Sequence, residues 1–136
     1  MSEALMELGA SVTLLDVDAD ACQRQAQRLA RLRPGEAVAI PCDLSDEQAT
    51  RAAVRDLIAH HGGLDVVIHC AAHVGAAATP GWAVPFEQQT VEAWDAAFRV
   101  NLTSAFVIVQ EAREALAASG RGVRHPGGLH LRRRRA

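Results

Sequence analysis

Three short apolar runs in this 136-residue chain end on side chains that could do chemistry. Ala10-Ser11-Val12-Thr13-Leu14-Leu15 closes on Asp16, and Ala37-Val38-Ala39-Ile40-Pro41-Cys42 closes on Asp43. Leu64-Asp65-Val66-Val67-Ile68 closes on His69-Cys70-Ala71-Ala72. A carboxylate at a strand end can accept hydrogen bonds from sugar hydroxyls, or it can cap the next helix, and the second use is the commoner. Metal chemistry finds too little support. Cys70 and His73 stand at Cys-x-x-His spacing near His60 and His61, but that spacing supplies two ligands where zinc takes three or four. Ser104 has no positioned base in the pattern. Every one of the 14 basic residues is Arg, with no Lys and no Tyr, so no Tyr acid, Lys base or Schiff-base Lys can come from within the chain.

The elements that must position these residues follow from periodicity. Ser2 to Leu8 reads as the end of a helix, with Leu5 and Leu8 on one face and Gly9 as its stop. The runs 10–16, 37–42 and 64–69 read as buried strands, with Pro41 marking an edge or a strand end. Asp18 or Asp20 caps a helix to about Leu32 with Ala26, Leu29 and Ala30 inward, stopped by Arg33-Pro34-Gly35. Ser45 with Gln48 fits a capping box for a helix that carries Ala53, Val54, Leu57 and Ile58 inward. An Ala-, Gly- and Pro-rich loop spans 70–90, and one long helix runs from about Val91 to Ser119. Strands alternating with helices of this length predict α/β architecture with a parallel sheet and right-handed crossovers.

Composition narrows the classes. At 49% apolar and 22% charged, the chain is one small domain with material for a core. Three Cys form no disulfide pattern and point to a reducing cytoplasm. No apolar run reaches membrane-spanning length, and Ser2-Glu3 does not open a signal peptide. Residues 1–120 hold all 16 acids and eight Arg, a net of −8, whereas 121–136 hold six Arg and no acid. Division is therefore expected into an α/β body, 1–120, and a basic tail, 121–136, that has no periodicity and is expected to be disordered. The tail lacks aromatic residues to stack on bases and adjoins an acidic body, which argues against nucleic acid.

The segment from Ala10 to Gly120 resembles the short-chain dehydrogenase/reductase family. Gly9-Ala10-Ser11-Val12 with Asp16 is similar to the family's second strand, and Cys42-Asp43-Leu44-Ser45-Asp46 to its acidic turn. Leu64 to Ala72 aligns with the strand that ends in Asn-Asn-Ala-Gly, and Trp94 to Thr103 with the long helix bearing an active-site Asn. The resemblance implies a partial Rossmann-like, doubly wound parallel sheet. It also implies hydride transfer between a nicotinamide dinucleotide and a small-molecule carbonyl or alcohol, and a homo-oligomer built on the long helix. Asp16, Asp43 and Ala71 would line the adenosine end of the cofactor, and Asn101 would hold the water of a proton relay. Asp16 with no Arg after it implies NAD rather than NADP. Trp82 and Phe86 lie in a loop that borders the family's active site.

The departures carry expectations of their own. The family's first strand and glycine-rich pyrophosphate turn have no counterpart before Gly9, so NAD binding is expected to be weak. His69-Cys70-Ala71-Ala72 keeps one residue of Asn-Asn-Ala-Gly, and the catalytic Ser, Tyr and Lys are absent. Read one base later, residues 123–132 permit Ser-Val-Ile-Gln-Val-Gly-Ser-Ile-Tyr-Gly, a strand ending in the family's Ser, so the tail reads as frameshifted. In the family's strand order a strand belongs between 10–16 and 64–69. Its loss would leave a slot about 10 Å wide, two strand spacings, with unpaired backbone on both sides. The expectation is an inactive, aggregation-prone oxidoreductase fragment, unless 10–16 and 64–69 pair directly. The alternative is a non-enzymatic interaction protein with an Arg-rich arm.

Overall fold

The computed structural model describes residues 1–32, 37–73 and 80–120. The basic tail and the Arg33-Pro34-Gly35 helix stop lie outside them. The chain divides into two compact units, Met1–His61 and Gly62–Ala136.

The first unit orders its elements as helix α1 (Ser2–Glu7), strand β1 (Val12–Asp16), helix α2 (Ala19–Ala30), strand β2 (Ala37–Pro41) and helix α3 (Glu47–His61). Gly9 turns the chain out of α1 at φ +88°, a left-handed conformation that costs glycine little. β1 and β2 pair in parallel with Val12 opposite Ala37 and Asp16 opposite Pro41. The core of the unit is Met6, Val12 and Leu29, with Leu5, Ala10, Leu14 and Ala37 packed around it. Met6 anchors α1, and Leu8 is exposed, because the helix ends before Leu8 can share a face with Leu5. In α2 the buried residues Cys22, Ala26 and Leu29 recur at four- and three-residue spacing. Asp18 is the cap of α2, its carboxylate accepting from the Ala21 N–H at 2.8 Å. Asp46, rather than Ser45, caps α3, accepting from the Ala49 N–H at 3.0 Å. Ser45 is used differently, donating its own N–H to Asp43. Thr13 and His61 share a 2.7 Å hydrogen bond between β1 and the end of α3.

The second unit holds helix α4 (Val91–Phe98), a π-helical turn (Arg99–Thr103) and helix α5 (Ser104–Ala118), preceded by a short 3-10 turn at Phe86–Gln88. Two expectations are corrected. Residues 64–69 form no strand, and the sheet among the described residues has two strands. Strand sequence becomes a strand only where a neighbour supplies ladder hydrogen bonds, and none among the described residues does so for this segment. The helix expected from Val91 to Ser119 is interrupted by the π turn centred on Asn101.

Candidate cofactor and active site

Within the first unit, the two strand-end acids stand at the carboxyl ends of paired parallel strands, where α/β sheets bind ligands. Asp16 is the last residue of β1 and is exposed. One of its carboxylate oxygens accepts from the Asp18 N–H at 3.0 Å, which leaves the other for an incoming donor. Asp43 is exposed just past β2, and one of its oxygens accepts from the Ser45 N–H at 2.8 Å. Both carboxylates are thus oriented by a backbone N–H two residues on. Acceptors of this kind suit the hydroxyls of a ribose and the amino edge of an adenine, so their chemistry fits the adenosine end of a dinucleotide. Residues 17–20, Val-Asp-Ala-Asp, bring no cation beside Asp16 to receive a 2′-phosphate.

Two thiols lie beneath these acids. The Cys22 Sγ–H donates to the Leu14 carbonyl at 3.3 Å. Burial, and then the Asp16 charge, push its pKa above the ordinary value. Burial likewise raises Cys42, against the opposing effect of a hydrogen bond with Thr50. Both thiols are buried, and burial favours their protonated form.

Within the second unit, Asn101 sits in the π turn, where the extra residue in the turn offsets the helix register. Its Oδ1 accepts from the His73 N–H at 2.6 Å, which fastens the chain just past Ala71 and Ala72 to the helix. A second tie lies beside it. The buried Ser104 hydroxyl donates to the Val100 carbonyl at 2.7 Å. Its one hydrogen being used, it accepts from His69 Nε2–H at 2.8 Å. Ser104 is 2% exposed and so is closed to substrate. Ala71, half-buried, lies between these two ties.

The His73 ring meets Trp82 edge-on at 5.8 Å, Trp82 lies 6.0 Å from Trp94, and Trp94 lies 5.2 Å from Phe98. His73 Nε2 is buried without a hydrogen-bond partner among the described residues. Gly81, next to Trp82, packs closely against Thr90. At φ +83° it takes a left-handed turn, and a Cβ there would stand 2.8 Å from the Thr90 side chain. Phe86, expected near the same site, is 87% exposed and outside this array. The His73–Trp82 contact was not legible in the sequence, because it joins residues nine apart across a loop. No cluster of three metal-ligating side chains occurs among the described residues.

A family model described as enoyl-(acyl carrier protein) reductase matches residues 1–125. The rhamnolipids biosynthesis 3-oxoacyl-(acyl-carrier-protein) reductase of Pseudomonas aeruginosa is 31% identical over 111 residues, covering 82% of this chain and 40% of that protein. A sorbitol dehydrogenase of Cereibacter sphaeroides is 28% identical over 121 residues, covering 89% of this chain and 43% of its own length. The chain thus spans about two fifths of these relatives. Among solved structures, the RhlG/NADP active-site complex of Pseudomonas aeruginosa superposes with a TM-score of 0.74 at 30% identity, covering 87% of this chain and 43% of that one.

Proposed function

The chain belongs to the short-chain dehydrogenase/reductase family, and on that premise we propose that it carries the adenosine-side acids and the active-site Asn of an NAD-dependent oxidoreductase acting on a carbonyl or alcohol. The observation that carries the reading is Asn101 in its π turn, tied through Oδ1 to the backbone of His73. A π turn inserted in an otherwise α-helical stretch is frequently a functional position.

Each residue then has a stated task. Asp16 accepts the adenosine ribose hydroxyls, and its charge repels a 2′-phosphate, which favours NAD over NADP. Asp43 accepts from the adenine amino edge. Ala71, by the family resemblance, offers backbone and a small side chain to the cofactor. Asn101, its Oδ1 held by His73, keeps its Nδ2 hydrogens for a water of the proton relay. The nicotinamide, when bound, supplies or accepts the hydride. The 136 residues include no Tyr and no Lys, so a side-chain phenol or ammonium for proton transfer is not among them.

The oligomer implied by the family has a matching surface. Val91, Trp94, Phe98, Leu102 and Phe106 are all exposed and recur at three- and four-residue spacing along α4, the π turn and α5. The free thiols Cys22, Cys42 and Cys70 fit a reducing cytoplasm, and among the described residues no helix is long and apolar enough to cross a membrane. Calorimetric titration with NAD and NADP tests the reading. NAD binding weaker than about 1 mM, and NADP weaker still, are expected. Equal affinity for the two, lost in Asn101→Ala but kept in Asp16→Ala, would overturn the assignment of Asp16.

A further inference from the structure

We propose that Ser104 and His69 are positioning residues for Asn101, holding the π turn in register so that the Asn101 side chain stays on the segment past Ala71. Their task in the reaction rests on the reading of Asn101 as the active-site Asn. The bonds that perform it do not. The Ser104 N–H closes the π turn by donating five residues back, to the Arg99 carbonyl. In an α-helix it would donate four residues back, to Val100. The Val100 carbonyl takes the Ser104 hydroxyl instead, at 2.7 Å. One serine thus serves two successive carbonyls, Arg99 through its N–H and Val100 through its O–H. In the α register both donors would compete for Val100, so the hydroxyl favours the π turn over the α-helix.

His69 completes the arrangement. With the only hydroxyl hydrogen committed to Val100, the buried Ser104 oxygen has acceptor capacity left, and His69 Nε2–H fills it at 2.8 Å. A donor at that oxygen fixes the hydroxyl rotor and polarises the O–H toward Val100. The neutral ring can do this in one tautomer alone, with its hydrogen on Nε2. The segment 69–73 is then fastened at both ends. The His69 side chain holds Ser104 at the end of the turn, and the His73 N–H holds Asn101 Oδ1 within it. Relaxing the turn to the α register would move one side of it against the other by one helical step, about 100°. The two ties, one on Asn101 and one on Ser104, resist that movement together, so loss of either loosens the other.

Ring-nitrogen NMR and residue-resolved amide exchange on the full chain, without cofactor, test this. Neutral His69 should carry its hydrogen on Nε2. In Ser104→Ala the His73 amide should exchange at least about fivefold faster although Asn101 is intact. The amide of Ala112, buried in α5, should keep its protection. Ser104→Ala combined with Asn101→Ala should raise His73 exchange no further than Asn101→Ala alone, because both act through one bond. If Ser104→Ala fails to fold, His69 carries the test. His69→Leu should speed exchange at His73, and His69→Gln, whose side-chain amide also donates, should restore it. Three outcomes would overturn the proposal. These are a neutral His69 with its hydrogen on Nδ1, His73 exchange unchanged in Ser104→Ala and His69→Leu, and equal acceleration at His73 and Ala112. Failure of the NAD titration would remove the reading of Asn101 and leave the coupling of these residues standing.

Discussion

Asp46 and Ser45 show at the residue scale what a sequence pattern leaves open. Ser45 with Gln48 has capping-box spacing, yet Asp46 takes the cap and Asp43 holds the Ser45 N–H instead. Which of three neighbouring polar residues reaches the first turn depends on how the chain leaves β2, and that is a tertiary fact. Asp46→Ala should therefore destabilise the chain by about 1 kcal/mol, and Ser45→Ala by much less, as denaturant titration would measure. Thiol chemistry gives a second check. Cys22 and Cys42 are buried and Cys70 is exposed, so a disulfide reagent should modify one thiol rapidly in the native chain and three after unfolding. Because burial raises the Cys22 and Cys42 pKa values in the folded state, the folded chain holds those protons more tightly than the unfolded one. Their contribution to stability is fully present below the unfolded thiol value of 9.0 and is lost as pH rises through the raised values. The melting temperature should fall on that alkaline side, and a flat profile from pH 8 to 11 would contradict the assignment of both thiols to the interior.

Elements were legible where the pattern is local. The strands that end at Asp16 and Pro41, the α2 face of Ala26 and Leu29, and the α3 face of Ala53, Val54 and Leu57 all follow from apolar spacing. The 64–69 segment failed because a strand needs a partner that its own residues cannot specify. The π turn escaped notice because one extra residue in a turn leaves the composition of a helix unchanged. Its effect is specific, however. Asn101→Ala should leave the helical circular dichroism unaltered while freeing the His73 N–H. Exchange at that amide should then rise about fivefold to tenfold, the equivalent of one hydrogen bond worth about 1 kcal/mol. Unchanged exchange would show that the turn does not hold residues 70–73. In the first unit, Leu29 is fully buried and Leu8 is 86% exposed. Leu29→Ala should cost roughly 2–5 kcal/mol and Leu8→Ala almost nothing, a contrast that a pair of melts would settle.

At the scale of the whole molecule, family membership rests on the matched family model and relatives, whereas the roles proposed for Asp16, Asp43, Ala71 and Asn101 are carried over position by position from the family resemblance. Asp16 and Asp43 stand in one compact unit, Ala71 and Asn101 in the other, so the cofactor claim is best tested atom by atom on the ligand. Saturation-transfer NMR of NAD with the full chain does this. The account predicts that saturation reaches the adenine and its ribose and passes the nicotinamide by. It should be weaker for NADP, and lost in Asp16→Ala while the amide spectrum of the first unit keeps its dispersion. Saturation of the nicotinamide protons equal to that of the adenine, or an undiminished signal in Asp16→Ala, would contradict it.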